Sequence, residues 1–186
     1  MVTLYVVDPR QSHFTVQAFA TGILAGFGHS PRFAIQQYEG TFNLDSASQS
    51  QSSLSLSVKA ASLLLIDQVS EMERAEIHRA TLDDVLEVGK YPEISFNGPD
   101  IALTQITDCW FRAQIRGDMR LHGVTKPVDI DSQLRLSDGD VRLSGGFELS
   151  LADFKIKRVK SVGGLLKVKD ELKFEFDLLG HKEDPS

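Results

Sequence analysis

The side chains able to do acid–base or metal chemistry are few and scattered. The five histidines, His13, His29, His78, His122 and His181, nowhere pair with one another, or with Cys109, at short metal-ligand spacing. No metal site is expected. His122 sits in Leu121-His122-Gly123-Val124-Thr125-Lys126-Pro127-Val128, where it could serve as an acid–base or ligand-binding group, or its ring could anchor a turn. Gly123 and Pro127 are turn formers and favour the anchor. Asp83-Asp84 is an adjacent carboxylate pair at an expected helix start, and interaction with the helix dipole accounts for it. No G-x-S-x-G elbow, phosphate-cradling glycine loop or dinucleotide fingerprint is present. No catalytic residue is therefore assigned, and the chain reads as a non-enzyme. The remaining charged feature is Lys155 to Lys169, which carries six basic residues and no acidic residue up to Lys169 in a chain of net charge -6. Lys157, Arg158 and Lys160 are candidates to receive an anion; a solvated basic loop is the other reading.

The elements that would position these groups are strands. From Trp110 to Leu121, Phe111, Ala113, Ile115, Gly117, Met119 and Leu121 alternate with polar residues, and Val128, Ile130, Leu134 and Leu136 continue the pattern after the Gly123–Pro127 join. A period of two marks a strand with one dry and one wet face. Strands this long, in series, suit a sheet closed into a barrel. Asp138-Gly139 marks a tight turn. Further one-faced strands are expected from Val141 to Leu151 and from Leu172 to Leu178, and shorter ones through Leu4–Val7, Phe14–Ala20, Phe33–Leu44, Leu54–Ala60, Ile94–Phe96 and Ile101–Leu103. Gly22, Gly26 and Gly28 interrupt the segment that ends at His29-Ser30-Pro31, and Asp45 to Ser53 reads as a hairpin loop. Between Val69 and Val88, Ser70 and Glu73 have capping-box spacing and Thr81 and Asp84 look like a second cap, so a pair of short helices is expected to cross one barrel end.

The chain of 186 residues is 41% apolar, enough for one core, and no linker or repeat divides it. The expectation is all-β: one antiparallel lipocalin-like barrel of about eight strands over residues 1–186, with a disordered tail at about 181–186. The net charge argues against nucleic acid as a partner, and a lone Cys109 excludes an intrachain disulfide. No apolar run reaches membrane-spanning length. The first residues lack a basic region followed by an apolar stretch, so a cytoplasmic location is expected, or a periplasmic one had a signal been removed.

The barrel interior is the informative region. Phe14, Phe96, Phe111, Ile115, Met119, Phe147, Phe174 and Phe176 are the candidates to line it, and Gly117 and Gly145 remove volume on the same face. A packed core and an apolar tunnel are both open on these residues. The chain resembles the YceI family. The matching stretches are Tyr5-Val6-Val7-Asp8-Pro9, Gly40-Thr41-Phe42, Ile77-His78 through Leu82-Asp83-Asp84-Val85-Leu86 to Lys90-Tyr91-Pro92-Glu93-Ile94-Ser95-Phe96, Leu121 to Val128, Asp153-Phe154 and Lys169-Asp170-Glu171-Leu172. Where the family often has His-Ser after the first Asp-Pro, this chain has Gln11-Ser12. The resemblance implies a lipocalin-like barrel whose tunnel binds a long isoprenoid lipid, a polyprenyl phosphate or an isoprenoid quinone, for sequestration or transport. The alternative is an enzyme acting on a lipid or small apolar substrate in the same pocket. No cofactor is expected beyond such a bound lipid or quinone. The basic residues Lys157, Arg158 and Lys160 would then meet a lipid head group or an anionic membrane in transient contact, and a homodimer stays open.

Overall fold

The computed structural model describes residues 2–21, 30–45, 52–157 and 167–183. Eleven antiparallel strands form one sheet: β1 (Val2–Val7), β2 (His13–Thr21), β3 (Arg32–Ile35), β4 (Tyr38–Asp45), β5 (Ser53–Lys59), β6 (Leu63–Leu65), β7 (Glu93–Thr107), β8 (Trp110–Leu121), β9 (Val124–Ser137), β10 (Asp140–Ser150) and β11 (Lys167–Lys182). Their order is β1-β4-β5-β7-β8-β9-β10-β11-β2-β3-β6, and β1 also pairs with β11, which closes the ring. Both β1 and β2 lie along β11, at Gly180–Lys182 and at Lys167–Asp177 respectively. β4 and β3 follow them in the next position, then β5 and β6. Three barrel positions are thus each filled by two consecutive strands, which gives an eight-stranded antiparallel barrel.

The expected long strands are present and their faces are as the alternation predicts. Along β8, Ala113, Ile115, Met119 and Leu121 are buried, while Arg112, Gln114, Arg116, Asp118 and Arg120 are exposed. The β8–β9 turn is tighter than expected. It consists of His122 and Gly123 alone, with φ of 52° and 72°. Positive φ at both central residues is the signature of a type I′ hairpin. Pro127 is not part of it: it stands within β9 opposite Asp118.

Strand direction defines two ends. The terminus end carries the Asp108-Cys109 and Asp138-Gly139 turns, Val2 and the close of β11. The helix end carries the His122-Gly123 turn and α1 (Glu71–Arg79). Ser70 and Glu73 form the expected capping box. Arg74 donates to the carbonyl oxygens of Leu65 (2.6 Å) and Asp67 (3.0 Å), fastening α1 across the free edge of β6. The second helical segment does not start afresh but runs on from α1 as a π-helix over Ala80–Val85. The Thr81 hydroxyl turns back to the Ile77 carbonyl (2.7 Å) instead of capping a new start, and the chain continues as a wider turn through Ala80–Val85, with Leu86 N–H bonded to Thr81 O (3.0 Å). Leu86 is buried, and Ile77, Leu82 and Val85 pack beside it on the core. Among the described residues no helix is long and apolar enough to cross a membrane.

The end of the chain departs from expectation. His181 and Lys182, read as the start of a disordered tail, belong to β11 and pair with β1 and β10. Their hydrogen bonds to the neighbouring strands outweigh the polar composition that suggested a tail.

Candidate functional site

Four inward phenylalanines gather on one side of the barrel. Phe14 of β2 lies opposite Phe176 of β11, and Phe147 of β10 opposite Phe174. Phe147 and Phe174 stack with ring centroids 4.7 Å apart and planes 2° from parallel. Phe14 lies 6.3 Å from both Phe174 and Phe176, and meets Tyr38 edge-on at 5.9 Å. Such offset and edge contacts contribute about 0.5–1.5 kcal/mol beyond burial. Phe147 and Phe174 are only half-buried although they occupy inward positions.

Two breaks in the barrel wall expose this cluster. The β9–β10 ladder runs from Asp140↔Ser137 to Gly145↔Ser132 and stops. A concavity of about 470 Å³ lies on β10 and β11 at that point, lined by Gly145, Gly146 and Phe147 and by the exposed Glu148, Lys173 and Glu175. The second break lies where residues 8–12 leave the β1–β2 path. Its concavity, about 360 Å³, has Phe14 and Ile35 as its apolar lining and Arg10, Ser12, His13 and Gln36 as its polar one. Ser12 fixes the excursion: its hydroxyl donates to the Asp8 carbonyl (2.7 Å) and accepts from Leu179 N–H (2.9 Å). Beside it the buried Tyr38 hydroxyl has no hydrogen-bond partner among the described residues. Burial pushes the Tyr38 phenol up, with the Ser12 hydroxyl acting in the opposite sense.

The other predicted lining residues are placed differently. Phe96 and Met119 face each other across β7 and β8 and are buried. The volume freed at Gly117 is already filled: a Cβ there would lie 2.7 Å from the Phe96 ring and 2.4 Å from the Asn97 carbonyl oxygen. At Gly145 the Phe176 ring takes the space, 3.1 Å from a Cβ. Ile115 has 0% exposure. Phe111 stands apart, half-buried near the terminus end. Of the basic candidates, Lys157 is exposed, and Arg158 and Lys160 lie outside the described residues. Lys167 and Lys169 belong to β11 instead of the expected loop. Just before that segment, the Ala152–Phe154 turn packs against β9 and buries Phe154. Asp170 holds the turn by accepting from Ala152 N–H (2.9 Å) and the Ser150 hydroxyl (2.5 Å).

His122 is held, as the anchoring reading expects. Its Nε2 donates to Glu87 Oε2 at 2.6 Å, and its ring lies 4.4 Å from that of Tyr91. Gly123 packs against the same tyrosine, 2.6 Å from where a Cβ would stand. The turn is thereby clamped to the segment after α1. Asp84 pairs with Arg79 (3.2 Å). Sequence reading missed a polar seam at the terminus end. There His181 Nδ1 lies 2.8 Å from Asp140 Oδ1, and its Nε2 3.7 Å from Asp8 Oδ2 and 3.3 Å from Gln11 Nε2. Nothing local signals this seam, because Asp8 and Gln11, Asp140 and His181 are far apart in sequence and meet only where β1 and β10 flank β11. Among the described residues no group of three or more His, Cys, Asp or Glu could hold a metal ion.

Known proteins share this architecture. The barrel is similar to Burkholderia cenocepacia BcnA, with a TM-score of 0.69 and 15% identity over 93% of this chain and 98% of that one. It is equally similar (TM-score 0.69, 13% identity, 96% and 98% covered) to a polyisoprenoid binding domain from Saccharophagus degradans implicated in plant cell wall breakdown. In sequence, a UPF0312 protein of Pseudomonas putida W619 is 31% identical over 164 residues, covering 84% of this chain and 78% of the relative. One from Pseudomonas syringae pv. syringae is 29% identical over 163 residues with the same coverage. The model of the YceI-like domain matches residues 5–179. The chain belongs to the YceI-like domain family.

Proposed function

We propose that the protein binds a long apolar isoprenoid lipid, sequestering or carrying it, with the aromatic cluster as the seat of the chain. The observation that carries this reading is the cluster itself: Phe14, Phe147, Phe174 and Phe176 lie together on inward positions, and Phe147 and Phe14 each line a concavity open to solvent. Interior rings with accessible surface lose water contact when an alkyl chain covers them, at roughly 0.8 kcal/mol per CH₂. The Saccharophagus domain of the same fold supports this choice of ligand class. The reading needs no catalytic step, and His122, the acid–base candidate, is engaged by Glu87 and Tyr91.

Native mass spectrometry of gently purified protein tests it. The expected result is a co-purifying adduct whose mass fits a polyprenyl compound and which is depleted in Phe14→Ala/Phe174→Ala. A bare protein that also fails to take up added geranylgeraniol would overturn the reading.

A further inference from the structure

Lys126 breaks the inward row of β9. The register pairs Met119 with Lys126, Gly117 with Val128 and Ile115 with Ile130. Lys126 therefore stands on the same face as buried Met119, Val128 and Ile130. The other inward residues of β8 and β9 are apolar, apart from Ser132, whose hydroxyl is bonded to the Ala113 carbonyl. The Lys126 side chain is exposed, and among the described residues it has no hydrogen bond or ion pair. Two acids of the adjoining segments are engaged elsewhere: Glu87 with His122, and Asp129 with Arg116.

Its surroundings give it a role beyond a lysine stem lying along apolar surface. The β9–β10 ladder ends at Ser132, six residues before Lys126 is reached along the strand pair. β9 also packs against the Ala152–Phe154 turn. The cation thus stands at the helix end of the stretch of β9 that β10 leaves unpaired, while the interior offers no other unpaired cation on a described strand position except Lys182, the last residue of β11 at the opposite end. A buried anion without a countercharge is costly, whereas an anion at a solvated rim beside an ammonium is not.

We infer that Lys126 is the head-group contact, and that the ligand is an isoprenoid ending in an oxyanion, such as a phosphate ester, rather than a neutral quinone or alcohol. The inference rests on the proposed lipid binding and specifies its ligand class. The chain lies against the aromatic cluster and the oxyanion stays at the break, held by the Lys126 ammonium.

Geranylgeranyl monophosphate and geranylgeraniol, equal in chain and different in head, separate the two claims. The wild-type protein is expected to bind the phosphate about tenfold more tightly than the alcohol, a preference of the size one charge-assisted contact supplies. Lys126→Met should erase the preference and leave alcohol binding unchanged, while Lys126→Arg should keep it. As a check independent of any variant, raising salt should weaken phosphate binding to the wild type and spare the alcohol. Equal phosphate affinity in wild type and Lys126→Met, or no salt response, would overturn the assignment while leaving lipid binding intact. Failure of the wild type to bind either probe would overturn the lipid reading, and this inference with it.

Discussion

The two ends of the barrel are built from the same alternating strands but filled in different ways. Towards the terminus end, Phe42, Ile101, Ala113, Leu134, Val141 and Leu143 all have 0% exposure. The ladders there run to the end of the barrel, with one register shift between Gln105 and Thr107 in β7–β8, and β1 closes on β11. Towards the helix end the inward rings Phe147 and Phe174 are half-buried, the β9–β10 ladder stops at Gly145↔Ser132, and β2–β11 shifts register between Val168 and Leu172. Alternation decides which way a side chain faces, but not whether anything packs on it. Ladder continuity decides that, because only a continuous wall brings its neighbours' side chains into the same layer.

The sharpest way to break this comparison is to truncate one residue in each region. Leu143→Ala empties a site with no accessible surface and should cost about 2–5 kcal/mol. Phe174→Ala removes a half-buried ring and one stacking contact, and should cost about 1–2 kcal/mol. Lipid uptake should rank the other way, with Phe174→Ala losing the more. Urea unfolding and uptake of geranylgeraniol measure both quantities. Equal stability losses would mean that the two regions are packed alike.

What could be read in the sequence follows from the same distinction. The faces of β8, β9, β10 and β11 were legible because period-two alternation reports local geometry. The capping box of α1 was legible for the same reason, since Ser70 and Glu73 meet within one turn. The division of barrel positions between β1 and β2, or β3 and β4, was not. It depends on Ser12 bonding to Leu179, 167 residues away. The start of the second helical segment was misread because Thr81 and Asp84 have the spacing of a cap, yet the Thr81 hydroxyl finds the Ile77 carbonyl first. For the site, residue type picked out Phe14, Phe147, Phe174 and Phe176. It could not say that Phe96 and Phe176 would fill the room left by Gly117 and Gly145. Lys126 passed unnoticed because the His122-Gly123 turn, not Pro127, sets its register.

A smaller effect is expected at the clamp that holds the helix end in place. His122→Ala removes the 2.6 Å bond to Glu87 and the contact with Tyr91. It also puts alanine at a φ of 52°, where a Cβ without a local hydrogen bond is strained. The loss should be about 2 kcal/mol by thermal or urea unfolding. His122→Asn should recover part of it, because asparagine tolerates this backbone region. Lipid binding at a temperature where the variant is folded should not change. Unchanged stability with abolished binding would instead make His122 part of the site and join the helix end and its clamp into one functional unit.

The smallest effect belongs to the seam of the packed end, and pH reveals it. The Asp8 carboxyl is held down to about 2, first by the Arg10 backbone N–H, then by the Gln11 amide and the Arg10 side chain. Its folded-state value lies below the ordinary 3.8, so the unfolded chain takes up the proton first as pH falls. The resulting stabilisation is complete above about pH 4–5 and is lost between there and about pH 2. Asp8→Asn lacks this contribution at every pH. The wild type should therefore melt slightly above Asp8→Asn at pH 6, and the gap should close by pH 2. A gap of constant size would show that Asp8 acts through the shape of the excursion at residues 8–12 and not through its charge. Any electrostatic share at the seam would then come from the His181–Asp140 contact and not from Asp8.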